Sequence, residues 1–240
     1  MPKIRYLKIR FANALFPYEV PCFRSAVIEA TERQSSLFHN HKQEGFHYRY
    51  PLIQYKVTDK KASIICLESG TDDIHDLLQQ RSLSLRIGQH IHDFEIEDVQ
   101  LRYHQVQSWQ ARFHYALLHW QALNQENYRR YSALQTEVER LQFLEKMLLG
   151  NLLAFARSIN WEPEHSIELS ITRLKGEKWL PFKGRKVITF TLNFSANVSL
   201  PDYIGLGKGV SVGFGSVLGF GEVEPIRKVK TESAEIQSEE

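Results

Sequence analysis

The chain opens on an alternation. Between Lys3 and Phe11, Leu7, Ile9 and Phe11 fall on one side and Tyr6, Lys8 and Arg10 on the other. A period of two predicts a strand, here with one apolar face and one wet, basic face. From about 18 to 33 the apolar positions Phe23, Val27 and Ala30 move to helical spacing. Pro21 sits in the first turn, where a missing N–H does no harm. The polar run at 34–45, QSSLFHNHKQEG, cannot continue that stripe and reads as a loop. Strands are predicted near 48–57 and 61–68, joined around Asp59. A short helix at 71–80 follows, with Thr71 as cap and Asp72 and Asp73 in its first turn. Residues 82–87 alternate again.

That order, β-α-β-β-α-β, is the ferredoxin-like arrangement that RNA-recognition modules also use. A transitional, mostly extended stretch at about 92–106 leads into a second half. Residues 109–120 read as a strand, and 135–159 as the strongest helix, with Leu141, Leu144, Leu148, Leu152 and Phe155 on one stripe. Residues 165–173 and 187–194 alternate, and a short last strand is expected near 217–223. Between Phe194 and Gly205 there is little room for a second helix. The expected fold class is α+β: two tandem ferredoxin-like (RRM-like) domains at 1–105 and 106–224, with a C-terminal glycine-rich loop. A disordered acidic tail is expected at 225–240.

Composition refines this modestly. With 240 residues and 42% hydrophobic content, the chain can hold one large core or two small ones. The net charge of +2 argues little for a polyanion. Residues 229–240, however, carry one Lys and four Glu, so a charge of about +5 remains on residues 1–228. Cys22 and Cys66 form no zinc or disulfide pattern and fit a reducing compartment. No apolar run approaches the ~20 residues that cross a bilayer, so a soluble, cytoplasmic protein without membrane contact is expected.

The most specific motif is Gly205-Leu206-Gly207, five residues, then Gly213-Phe214-Gly215. It is not a dinucleotide fingerprint, which must open a helix within a βαβ unit. Nor is it a P-loop, because Lys208 is followed by Gly209 and not by Ser or Thr. Five glycines with Lys208 and Ser211 make a backbone that can approach a phosphate and offer unpaired N–H groups to it.

This loop resembles the signature of the repeat-associated mysterious proteins of CRISPR systems. Within that superfamily, Phe38-His39-Asn40-His41, the segment Phe46–Tyr55 and the segment Ala122–Tyr128 resemble the precursor-crRNA-processing endoribonuclease, the sixth Cas family. The resemblance covers residues 3 to about 224. It implies two ferredoxin-like domains that bind repeat RNA in a basic cleft and cut one phosphodiester bond without metal or cofactor. It further implies attack by the upstream 2′-hydroxyl, giving a 2′,3′-cyclic phosphate and a 5′-hydroxyl, and a catalytic histidine after the first helix, facing the glycine-rich loop. The implied partners are precursor crRNA, CRISPR effector subunits and a second copy of the chain.

The chemistry of the residues fits. Ribose attack needs a proton acceptor, a proton donor and positive charge near the non-bridging oxygens. His39 and His41 are expected as acid and base in an order the residues leave open, because imidazole titrates near neutrality. Lys42 and Lys208 are expected to supply charge, with Gly205, Gly207, Gly213 and Gly215 cradling the phosphate. Lys183, Arg185 and Lys186 lie on a predicted hairpin that can grip RNA phosphates. The His-x-His pair lacks further ligands nearby, so no metal site is expected. His47, at the start of a predicted strand, is read as packing and not as a third contributor, and the other seven histidines are assigned no role. Two rival readings are a non-catalytic RNA-binding subunit of a CRISPR effector complex and a ribonuclease with general RNA substrates.

Overall fold

The computed structural model describes residues 3–32, 50–79 and 82–225. His39, His41, Lys42 and His47, and the acidic tail beyond Pro225, lie outside them. β1 (Lys3–Ala14) leads through a 3₁₀ turn into α1 (Val20–Glu32). β2 (Ile53–Thr58) and β3 (Lys61–Leu67) form a hairpin. Its two-residue turn, Asp59 and Lys60, has both residues at positive φ, the geometry that matches strand twist.

The expected helix at 71–80 is two four-residue pieces, α2 (Gly70–Asp73) and α3 (His75–Leu78). Thr71 is not its cap. Its hydroxyl donates to the Glu68 carbonyl, and the chain turns directly from β3 into helix through Ser69.

A second correction concerns the fourth strand. β4 (Ser82–Ile87) is only a hairpin partner for the start of β5 (His90–Gln105). It is β5, predicted as a mere transition, that lies antiparallel to β1 and completes the order β2-β3-β1-β5-β4. The polar residues that alternate along β5 mask its strand character, since neither of its faces is fully covered.

The second half holds β6 (Ser108–Trp120), α4 (Gln125–Ala133), α5 (Glu137–Ser158), β7 (Leu169–Phe182), β8 (Arg185–Val198) and β9 (Ser216–Pro225). Its sheet order, β7-β8-β6-β9, is ferredoxin-like. The connection from β8 to β9 contains only a 3₁₀ turn at Val210–Val212, as the short spacing requires. α5 starts on a capping box, Thr136 with Glu139, and buries Leu144, Leu148, Leu152 and Phe155.

Two cores result. Leu7, Ile9 and Phe11 of β1 pack under α1 with Phe23, Tyr55 and Phe94. The other core takes Ile4, Tyr6, Ile65 and Leu67 of the first sheet together with Trp120, Phe155, Phe190 and Leu206 of the second half. The second face of the first sheet is therefore a seam, not a wet surface. Tyr6 is buried and donates to the Asp202 carbonyl, and the Lys8 ammonium lies 4.4 Å over the Tyr203 ring.

Candidate nucleic-acid interface

Alternation along β2 directs Gln54, Lys56 and Thr58 into this seam, all at most 1% exposed. Thr58 Oγ1 pairs with Ser63 Oγ of β3, while Gln54 and Lys56 meet the glycine-rich loop. The Gly205 N–H donates to Gln54 Oε1 at 2.9 Å, and Tyr50 OH donates to the Gly205 carbonyl at 2.8 Å. Gln54 Nε2 in turn donates to Tyr50 OH, so the three residues close a ring of hydrogen bonds. Lys56 Nζ donates to Ser216 Oγ at 3.0 Å. Burial pushes this ammonium down from its ordinary value of 10.5 to about 7.

From the second domain the loop is held by β6. Gly215 N–H donates to the His119 carbonyl and Lys208 N–H to that of Gln121, just past the strand, while Gly213 N–H donates within the loop to the Val210 carbonyl. Leu206 N–H donates to the Gly215 carbonyl across the loop. A Cβ on Gly215 would fall on the Leu206 carbonyl oxygen, at a backbone φ of +64° that already disfavours side chains. Gly207 lies directly against the Trp120 indole.

The expectation of a freely offered amide cradle is thus corrected in part. The N–H groups of Gly205, Gly213 and Gly215 have internal partners, whereas those of Gly207 and Gly209 have none among the described residues. Lys208, between them, is half-buried, ion-paired to nothing among the described residues, and lowered in pKa by burial.

The basic hairpin stands beside this loop. The turn Lys183–Gly184 follows the Phe182–Arg185 pair, and Lys183, Arg185 and Lys186 are all exposed. The rings of Phe182 and Phe214 meet edge to face at 5.3 Å, which ties the hairpin tip to the glycine-rich loop. Loop amides, Lys208 and three exposed cations therefore share one region, suited to a chain of phosphates.

Sequence reasoning passed over Tyr50, Gln54, Lys56 and His119. Gln54 and Lys56 had a signal, polar residues at period two within an otherwise apolar strand, whereas Tyr50 precedes that strand. His119 had none in its neighbours. It sits at a β6 irregularity with φ 49, carries the carbonyl that holds Gly215, and has a pKa lowered by partial burial and by Lys178.

Tandem ferredoxin-like sheets with a glycine-rich loop locked across their seam define the repeat-associated mysterious protein class. The chain belongs to the Cas6b family: the Cas6b N-terminal domain model matches residues 2–105 and the Cas6b C-terminal domain model matches residues 107–220. A solved Cas6b structure shares 26% identity, with a TM-score of 0.78 over 91% of this chain and 100% of that one. A second, described as the CRISPR RNA processing endoribonuclease Cas6b, shares 24% identity with a TM-score of 0.71 over 91% of this chain and all of its own, a likeness of fold. MJ0978, an uncharacterized protein of Methanocaldococcus jannaschii, is 34% identical over 99 residues, 41% of this chain. The chain spans 66% of that relative's length.

Proposed function

We propose that this chain is a metal-independent endoribonuclease that cuts CRISPR repeat RNA within precursor crRNA. One observation carries the reading beyond family membership. The chain re-enters the described residues at Tyr50, nine positions after His41, and Tyr50 is bonded directly to Gly205 of the glycine-rich loop. That nearness in sequence supports the reading that both histidines act beside the phosphate-suited loop.

In this mechanism the 2′-oxygen bonds to phosphorus and the P–O5′ bond breaks. His39 and His41 take the 2′-hydroxyl proton and supply one to the leaving 5′-oxygen, so the products are a 2′,3′-cyclic phosphate and a 5′-hydroxyl. Lys42, Lys208 and the Gly207 and Gly209 amides stabilise charge on the non-bridging oxygens. Lys183, Arg185 and Lys186 hold flanking phosphates.

Cleavage of a labelled cognate repeat in EDTA tests this, with His39→Ala, His41→Ala and a substrate carrying a 2′-deoxy sugar upstream of the cut. The expected result is a single cut by the wild type, an inert deoxy substrate, and a loss of ~10²-fold or more in at least one variant. A wild type that binds the repeat and never cuts it is an RNA-binding subunit, and the catalytic assignment is then wrong. Equal cutting of unrelated hairpins would replace the repeat as substrate by RNA in general.

A further inference from the structure

Two aromatic rings project from the fold where β1 hands over to α1. Phe16 and Tyr18 are 61% and 72% exposed, and neither joins a core cluster. Their centroids lie 5.5 Å apart with the rings within 7° of parallel, an offset stack. Apolar residues scattered singly over a surface are ordinary. A stacked, exposed pair is different, because each ring still offers an outer π face to solvent.

The backbone beneath the pair is fixed. Pro17, between the two residues, locks one φ. The Phe16 N–H donates to the Glu19 carboxylate, and the Phe16 carbonyl accepts from the Glu19 N–H, both at 2.9 Å. Before the pair, Leu15 is buried and its N–H donates to the Lys60 carbonyl; after it, Val20 is buried. A ligand that stacks here has no loop to order, so little of the contact energy is lost to entropy.

Val20 also gives the pair its address. A Cβ on Gly213 would lie 3.8 Å from both Val20 methyl carbons, and Val212 packs on the same core as Val20. The 3₁₀ turn of the glycine-rich loop therefore rests against the first turn of α1, two residues beyond Tyr18. Lys60 adds an exposed cation at the neighbouring β2–β3 turn. The acids nearby are engaged, Glu19 by the Phe16 N–H and Asp59 by Arg10.

We propose that Phe16 and Tyr18 form a stacking platform for one unpaired nucleobase of the RNA strand that crosses the glycine-rich loop. An aromatic face binds any base through its π system, so the platform holds the strand without reading a hydrogen-bonding edge. Lys60 then meets the backbone phosphate beside that base. An apolar peptide could cover the same rings by area alone. What favours a base is the parallel geometry, the adjacent cation and the continuity with a loop suited to phosphate. The inference rests on the repeat-RNA part of the proposed function and holds whether or not the chain cuts that RNA.

The test uses repeat RNA kept intact by a 2′-deoxy sugar upstream of the cut, with 2-aminopurine at each unpaired position in turn. The emission of 2-aminopurine falls when the base stacks. Saturation with the full wild-type chain is expected to quench one position. Combining Phe16→Leu with Tyr18→Leu keeps the apolar bulk and removes both π faces. That double variant is expected to leave the same position bright at saturation and to bind about 10-fold more weakly, the scale of one lost base–aromatic stack. Phe16→Tyr keeps a ring and is expected to retain quenching and affinity. Circular dichroism checks the fold of each variant, and if the double variant unfolds, Tyr18→Leu alone decides. If the wild type binds the repeat and quenches no position, the platform is refuted while the proposed function stands. Quenching and affinity that survive the loss of both rings refute it equally. A wild type that does not bind the repeat overturns the platform and the proposed function together.

Discussion

The glycine-rich loop and the basic hairpin meet where Phe182 touches Phe214, yet they are built in opposite ways. The loop is fixed from both domains: Tyr50, Gln54 and Lys56 hold it from one side, His119 and Gln121 from the other. Among the described residues the hairpin tip is held by its own cross-strand ladder and by that one ring contact, and its cations are exposed. A fixed element suits atomic positioning, where an error of about an ångström costs much of a catalytic rate. An exposed cation cluster suits capture of a flexible polyanion, where charge matters more than exact placement.

The largest expected effect comes from adding one methyl group to each region. Gly215 and Gly184 both have positive φ, +64° and +72°. At Gly184 a Cβ meets nothing within 4 Å, so Gly184→Ala costs only the backbone preference, about 1 kcal/mol. At Gly215 the same Cβ collides with the carbonyl of Leu206, a residue whose N–H bonds the Gly215 carbonyl across the loop. Gly215→Ala is expected to destabilise by about 4 kcal/mol or to displace the loop. Urea unfolding of the two variants measures the difference, and similar losses would remove the contrast between a fixed loop and a free tip.

A second prediction sharpens the seam. Lys56 is buried beside Ser216 with its pKa lowered to about 7, whereas the unfolded chain titrates it near 10.5. Between those values the unfolded state binds a proton that the folded state does not. Stability therefore rises with pH across about 7 to 10.5, and below about 7 the full penalty of a buried cation is present. Lys56→Met is expected to stabilise the protein by on the order of 2 kcal/mol at pH 7 and to flatten that slope. Urea denaturation from pH 6 to 10 measures it; an unchanged slope would mean that Lys56 keeps its proton through a partner outside the described residues.

Much of this architecture was legible in the residue pattern, for a local reason. The alternation of β1 and the leucine stripe of α5 each report one buried face, and that is all a period encodes. What the pattern could not show was which body covers the other face. Tyr6 and Lys8 read as wet because their neighbours are polar, but the covering surface is Asp202 and Tyr203, nearly two hundred positions away. Gln54 and Lys56 were invisible as loop anchors for the same reason. β5 was misjudged because its pairing, not its hydrophobicity, makes it a strand. The glycine spacing was legible as a motif, but it did not reveal that many of its amides serve the fold.

The smallest expected effect on stability belongs to the hairpin, and it is the most informative about function. Replacing Lys183, Arg185 and Lys186 together by Ala removes three exposed cations and leaves the Phe182–Phe214 ring pair in place. The unfolding midpoint should hardly move, since exposed charges of this kind contribute little. Binding of repeat RNA should weaken by about 10-fold at physiological salt. The slope of log affinity against log salt should fall by about 2, since each phosphate left without its cation accounts for ~0.7. Single-turnover cleavage at saturating RNA should stay near the wild-type rate, because a capture element acts before the chemical step. If the rate collapses while binding and its salt slope survive, the hairpin positions the scissile phosphate. The division between a positioning loop and a capturing tip would then be the reverse of the one argued from their construction.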